Sequence, residues 1–380
     1  MTPMKNTSDS SALSSDGRHP PSPVATCPIA TCKRSGTFEE VFTSFSLDPE
    51  MSLADVLEQC QTFATEAGAV PVKVHLFYPK SRRQEAAEAA ATTSLPVMWT
   101  ESKDAADATH RAGGVFVHAV HCESSQVLWH NGRQVGLRFQ DEHAEYVFIS
   151  GLYGTNGTES EQTLEVFAAL EELLAGAGMD YSHILRTWFY NRDILSWYGE
   201  FNKVRTRFYE KHGVFEHLLP ASTGIGADNP HGSALVVSAF AVKDLSGHCQ
   251  CREVASPLQC PATDYGSSFA RAVRLDTPEH ARLTISGTAS IGADGSTVYV
   301  GDFRRQFDET HRVVAAILEA EGFDWKDVVR GIAYFRHAED AKLAEELSWP
   351  EPFPVIRTVD TVCRDDLLYE LEINAVKSKV

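Results

Sequence analysis

Two stretches of the chain alternate apolar and polar residues with a period of two, as half-buried strands do, and each opens the same succession of patterns. Val135–Phe139 and Glu145–Ser150 predict a hairpin closing in Ile149-Ser150-Gly151; Ala272–Leu275 and Arg282–Ser286 predict another, closing in Ile285-Ser286-Gly287. Glu-His-Ala precedes the second strand both times, at Glu142–Ala144 and Glu279–Ala281. Leu164, Phe167, Leu170, Leu173 and Leu174 then recur at helical spacing, as do Val313, Ala316, Ile317 and Leu318, with Gly178 and Gly322 as the expected stops. Strands Arg186–Arg192 and Arg330–Arg336 follow, with Tyr190 and Tyr334 in register. Helices are expected at 197–211 and 338–347, each before a closing strand.

The closing strands expose a repeat. Leu95-Pro-Val-Met-Trp-Thr100, Leu219-Pro-Ala-Ser-Thr-Gly224 and Phe353-Pro-Val-Ile-Arg-Thr358 each precede, by about 20 residues, an apolar strand ending in Ala-Val (Ala119-Val120, Ala241-Val242, Ala375-Val376). From Pro220 to Val242 and from Pro354 to Val376 the spacing is 22 residues. A gap-free comparison sets Thr223 and Val236 opposite Arg357 and Glu370, so the middle copy's cleft is expected to be silent. An N-terminal stretch shows only the second half of the pattern: helix 53–67, strand 72–78, helix 83–91, strand 115–120, with no recognisable opening hairpin. Residues 1–35, rich in Ser, Pro and Thr, read as a disordered tail. The expectation is an α+β fold of repeated units, 36–134, 135–250 and 251–380, forming a pseudo-trimer inside one chain.

Charge narrows the function. A formal net charge of −18 argues against a nucleic-acid partner, although a local arginine cluster still admits a small anionic substrate. No apolar run is long enough for a bilayer and no secretory signal is recognisable, so a cytoplasmic, membrane-independent protein is expected. The eight cysteines are scattered, and Cys249-x-Cys251 lacks a second ligand pair, so reduced thiols and no metal are expected.

The ending from Pro354 to Val376, with Arg357, Glu370 and Glu372, resembles the closing signature of the RidA/YjgF family, trimers of a chorismate-mutase-like α+β unit. The chain after the tail is more closely similar to the chorismatases, which build that trimer within one polypeptide. The segments Phe189–Leu195, Pro220–Gly226, Leu258–Arg271 and Ile285–Ile291, together with Glu370, carry that resemblance. It implies a cofactor-free monomeric enzyme that releases pyruvate from chorismate, with Glu370 protonating the enolpyruvyl methylene. The residues allow this, because Glu370 and Glu372 share a strand face and one of two crowded carboxylates is pushed towards its neutral form. An exposed acidic edge strand is the competing account of the same pair.

The two substrate carboxylates call for arginine. Arg357 stands where the family's carboxylate-binding arginine falls, and Arg192, Arg271 and Arg186 are further candidates; Arg330, Tyr334 and Arg336 in the other copy mark part of that pattern as scaffold. Tyr190 and Tyr265 are candidate hydroxyl partners, and Thr223-Gly224 and Gly266-Ser267 offer backbone N–H groups or plain turns. Gly151 and Gly287 are taken as hairpin-exit glycines. For product choice the resemblance gives two markers. Cys363 points to the branch making 3-hydroxybenzoate, where Ala272 stands in place of that branch's glycine, so a mixed 3- and 4-hydroxybenzoate product or the hydrolytic dihydroxycyclohexadiene carboxylate stays open. A RidA-like imine deaminase, which the Arg357/Glu370 pair alone permits, and a non-catalytic binding module are the remaining readings.

Overall fold

The computed structural model describes residues 30–35, 38–103, 113–350 and 352–379. They form three sheets flanked by helices. The first unit comprises β1 (Ala30–Ser35), β2 (Phe38–Ser46), α1 (Leu53–Glu66), β3 (Val70–Pro79), α2 (Arg83–Thr92), β4 (Val97–Ser102) and β5 (Gly114–His121). The second comprises β6 (Ser125–His130), β7 (Arg133–Gln140), β8 (Ala144–Tyr153), α3 (Glu159–Gly176), β9 (Ile184–Asn191), α4 (Ile194–Lys211), β10 (Ala221–Gly226) and β11 (Leu235–Asp244). The third comprises β12 (Gln250–Val254), β13 (Ala272–Asp276), β14 (His280–Ala289), α5 (Phe303–Ala320), β15 (Val328–Phe335), α6 (Ala338–Leu343), β16 (Val355–Val359) and β17 (Tyr369–Ser378).

The second and third sheets have one topology, β6-β7-β8-β11-β9-β10 and β12-β13-β14-β17-β15-β16; the first, β1-β2-β5-β3-β4, has one strand fewer. The opening β1–β2 pair of the first unit is present, with Ala30 opposite Phe42 and Cys32 opposite Glu40. Its second strand is buried almost throughout, so it lacks the period-2 alternation by which a one-sided strand is recognised. The expected tail lies outside the described residues as far as position 29, and its last six positions are β1.

Helices cover the outer faces. A capping box between Thr158 and Glu161 starts α3, which buries Val166, Phe167, Leu170 and Leu174. Leu164, expected on that face, is 47% exposed. The inner faces of all three sheets meet in one central core that includes Phe42 and Phe116, Tyr146 and Phe240, Val273 and Val376.

Each edge strand that follows a repeated proline leans on the next unit: β4 on β8 and β11, β10 on β14, β16 on β2 and β5. Backbone hydrogen bonds staple the ring at equivalent places, Glu101 N–H to Asp228 O (2.8 Å), Gly226 N–H to Thr361 O (2.7 Å) and Lys103 N–H to Val359 O (2.9 Å). The expected pseudo-trimer of α+β units is therefore built, with three clefts between units. Among the described residues no helix is long and apolar enough to cross a membrane.

Candidate active site

Glu370 is the second residue of β17 and lies opposite Tyr334 on β15 and Ala289 on β14. Strand alternation puts Glu372 on the same face, two residues on. Glu372 is fully buried and fully paired. Arg186 Nη2 lies 2.8 Å from its Oε2, Arg330 Nη1 lies 2.5 Å from its Oε1, and the Trp188 indole donates to Oε1 at 3.2 Å. Burial works against its charge, but Arg330 and Arg186 outweigh burial and hold it below the ordinary carboxylate range. Glu370 fares differently. Burial, reinforced by the charge of Glu372, pushes it up to about 8, against the opposing pull of Arg186 and Arg271. Among the described residues none hydrogen-bonds its carboxyl. It is therefore a neutral acid near pH 7 with a proton to give.

That acid faces a cavity of about 180 Å³ between the second and third units. Tyr198, Asn202 and Arg205 from α4 and Gly224 from β10 form one wall. Tyr265, Ser267 and Arg271, then Cys363, Arg364 and Glu370, form the other. Three guanidinium groups thus face one neutral acid, although the chain as a whole is strongly acidic. Arg205 Nε and Arg271 Nη2 are buried without a hydrogen-bond partner among the described residues. Buried donors of this kind are ordinarily satisfied, so this lining can take up anionic oxygens. Arg271 is steadied by its own Nε donating to Cys260 O at 2.9 Å and by the Tyr265 and Phe269 rings.

Two glycines make the room. β14 carries a bulge between Ile285 and Thr288, and there a Cβ on Gly287 would stand 1.9 Å from Glu370 Oε1. Gly287 is thus not a hairpin exit but the floor under the acid, and its N–H donates to Thr223 Oγ1 at 3.0 Å. Gly224 packs under the Tyr198 ring, where a side chain on β10 would enter the cavity wall.

The structure gathers Glu370, Cys363, Gly224, Tyr265, Ser267 and Arg271 around this cavity. Thr223 is buried just behind it, accepting from Arg186 and Gly287. Ala272 follows Arg271 into the core, opposite Ile285 and Val254. Cys363 is half-buried; burial, with Glu370 nearby, pushes its thiol up to about 12, so it stays protonated.

Three candidates lie elsewhere. Tyr190 is in the central core with its hydroxyl 2.5 Å from that of Tyr334. Arg192 is exposed and donates to Gly232 O at 3.0 Å. Arg357 lies over the Trp349 ring, 4.5 Å from its centroid, and its carbonyl accepts from Gly113 of the first unit. The reason is twofold. In a cyclic arrangement β16 serves the cleft with the first unit, whereas Glu370 serves the cleft with the second. The repeats also differ in register: β10 pairs Ala221 with Arg186, while β16 pairs Val355 with Gly331, the residue after Arg330. This one-residue slip sets Gly224, not Thr223, opposite Arg357, and turns Thr223 inwards.

Arg205, Tyr198 and Arg364 were not singled out from the sequence, and Gly287 was named only as a hairpin exit. Arg205 carried a signal, because it interrupts the buried α4 face between Phe201 and Phe208, where a guanidinium needs a reason.

The family profile described as chorismatase FkbO/Hyg5-like, N-terminal, matches residues 121–241. A chorismatase of Streptomyces rapamycinicus is 27% identical over 300 residues, covering 71% of this chain and 85% of its own. A chorismatase of Streptomyces hygroscopicus is 28% identical over 281 residues, 66% of this chain and 79% of its own. Over most of its length the chain is similar to the chorismatases. A chorismatase crystal structure at 1.08 Å resolution shares the fold across the whole molecule, with a TM-score of 0.60 over 93% of this chain and 99% of that one, at 19% identity. The chorismatase fold thus extends over the first unit, beyond the reach of the family profile.

Proposed function

We propose that this protein is a chorismatase, converting chorismate to pyruvate and a hydroxybenzoate in the cleft between its second and third units, with Glu370 as general acid. The observation that carries the reading is a neutral, hydrogen-bond-free carboxylic acid facing a cavity lined by Arg205, Arg271 and Arg364. Glu370 gives its proton to the terminal methylene of the enolpyruvyl ether, and the ether carbon becomes an oxocarbenium centre. The guanidinium groups hold the two substrate carboxylates and fix the ether over Glu370. In the aromatising route the ring hydroxyl displaces the side chain, pyruvate leaves, and loss of a ring proton restores aromaticity without consuming water. In the hydrolytic route one water adds, and the ring keeps both hydroxyls as a dihydroxycyclohexadiene carboxylate.

The neutral Cys363 thiol lines the cavity beside Tyr198 and Glu370, where a small polarisable group excludes a water or steers the ring hydroxyl. That placement favours 3-hydroxybenzoate, with 4-hydroxybenzoate as an accompanying product. Ala272 acts on the product only through Arg271, because its methyl is sealed in the core. The imine-deaminase reading loses its support, since Arg357 and Glu370 do not share a cleft. Purified protein mixed with chorismate, without added metal or cofactor, is expected to release pyruvate, and chromatography of the second product identifies the route. Pyruvate no faster than the uncatalysed background would remove this reading.

A further inference from the structure

The ring of units encloses a second, smaller space on its central axis, which plays no part in the chemistry above. It is a cavity of about 20 Å³. Lys73, Arg282, Arg330 and Asn374 bring polar atoms to it, among the rings of Phe116 and Trp188. Such a volume holds one water-sized particle and nothing as large as a phosphate or sulfate.

The repeat explains why charge collects here. Strands β3, β9 and β15 are equivalent, and each sends a cation towards the axis: Lys73, Arg186 and Arg330. On the neighbouring strands β5, β11 and β17 the equivalent inward positions hold Phe116, Ser238 and Glu372, so one carboxylate answers three cations. With Arg282 and its partner Glu40 included, four cations (Lys73, Arg186, Arg282, Arg330) face two carboxylates (Glu40, Glu372). All six side chains are nine-tenths buried or more.

The hydrogen bonding is incomplete on the same side. Arg330 commits Nη1 to Glu372 and Nη2 to His75 Nδ1 at 3.2 Å, leaving Nε without a partner. Lys73 Nζ has no hydrogen-bond partner among the described residues and sits 3.6 Å over the Trp188 ring. Arg282 Nε and Asn374 Oδ1 are likewise unpaired. A carboxamide can present its N–H₂ instead of its oxygen by a half-turn, so Asn374 can join the donors. Burial and the nearby Arg330 and Arg186 drive the Lys73 ammonium well below its usual range, the mark of a cation lacking a counter-charge. A water would fill the hole, but only with Lys73 giving up its proton or with the excess positive charge left unanswered, whereas an anion keeps the ammonium charged.

We infer that the axial cavity is a binding site for a single monatomic halide, chloride under ordinary conditions, held by Lys73, Arg330 and Arg282. The ion ties the three units together at the one point where their repeated strands converge with like charge. It binds the closed ring and not the unfolded chain, so it stabilises by mass action.

The test uses the whole protein, exchanged into halide-free buffer. In crystals grown in bromide, an anomalous peak is expected in the axial cavity. In solution, chloride and bromide are expected to raise the thermal midpoint of the wild-type protein saturably, by roughly 3 °C or more, where isethionate at equal ionic strength does not. The halide-specific increment should vanish in Lys73→Met, whose neutral side chain fills the same volume. An axial cavity empty of bromide overturns the proposal, and so does an increment of full size in Lys73→Met. If that variant does not fold, the bromide crystal of the wild type decides alone.

Discussion

The cleft between the second and third units and the cleft between the third and first are made from equivalent strands, yet different residues stand at the position of the acid and at the edge that faces it. In the first, Thr223 and Gly224 of β10 face Gly287 and Glu370. In the second, the equivalent pair on β16 is Ile356 and Arg357, and the position equivalent to Glu370 is Gly114 on β5. A Cβ on Gly114 would stand 3.2 Å from Ile356 Cγ2, so the isoleucine takes up the space the acid would need. In the remaining cleft Met98 stands against Ser238, and Val236 takes the acid's position. The proposed site thus draws on two different units, a small edge from one and an acid from the next.

The largest expected effect tests that division directly. Glu370→Gln keeps the shape but removes the proton, and pyruvate release should fall by about 1000-fold with the fold intact. Arg357→Ala, in the cleft with the first unit, should change it by no more than about twofold. Comparable losses in the two variants, measured as kcat/KM with chorismate, would erase the distinction between the clefts.

The two equivalent bulge glycines should separate next. Gly287→Ala drives a methyl against Glu370 Oε1, so kcat should drop by roughly 10- to 100-fold while the thermal midpoint moves little. Gly151 has φ +69°, and a Cβ there would meet the Val97 carbonyl oxygen at 2.3 Å. Gly151→Ala should therefore cost about 2 kcal/mol or more of stability, with the surviving folded fraction fully active. Urea unfolding and active-site-normalised kinetics read the two effects apart.

The pH profile gives a smaller, graded effect. As the proposed acid, Glu370 acts only when protonated, so kcat/KM should be level at neutral pH and fall through about pH 8. The folded state holds this proton more tightly than the unfolded chain, whose glutamates titrate near the ordinary 4.5. Its contribution to stability is thus full below that value and is lost as pH rises towards 8. Glu370→Gln should flatten that slope in denaturation measured across the interval.

Cys363→Ala should have the smallest effect on turnover and a clear one on chemistry. Total pyruvate release is expected to stay within about threefold, while the chromatographic product shifts away from 3-hydroxybenzoate. An unchanged product profile would take Cys363 out of product choice.

Much of this molecule was legible locally. Strand alternation, helical periodicity and the proline-led endings determined the α+β units and their repetition, because a side chain's inward or outward direction follows from the backbone period alone. Glu370 was legible for the same reason: its crowding with Glu372 is a property of one strand. The opening hairpin of the first unit was not, since a strand buried on both faces carries no alternation.

The pairing of units was decided by tertiary structure. Which edge strand faces which sheet, and hence that Arg357 is separated from Glu370 while Arg205 and Gly287 join it, depends on the order of units around the ring. So does the slip that sets Gly224 opposite Arg357. A one-residue change of register reverses every side chain of a strand without leaving a gap in the sequence, and only the hydrogen-bonded partner strand fixes which face looks inwards.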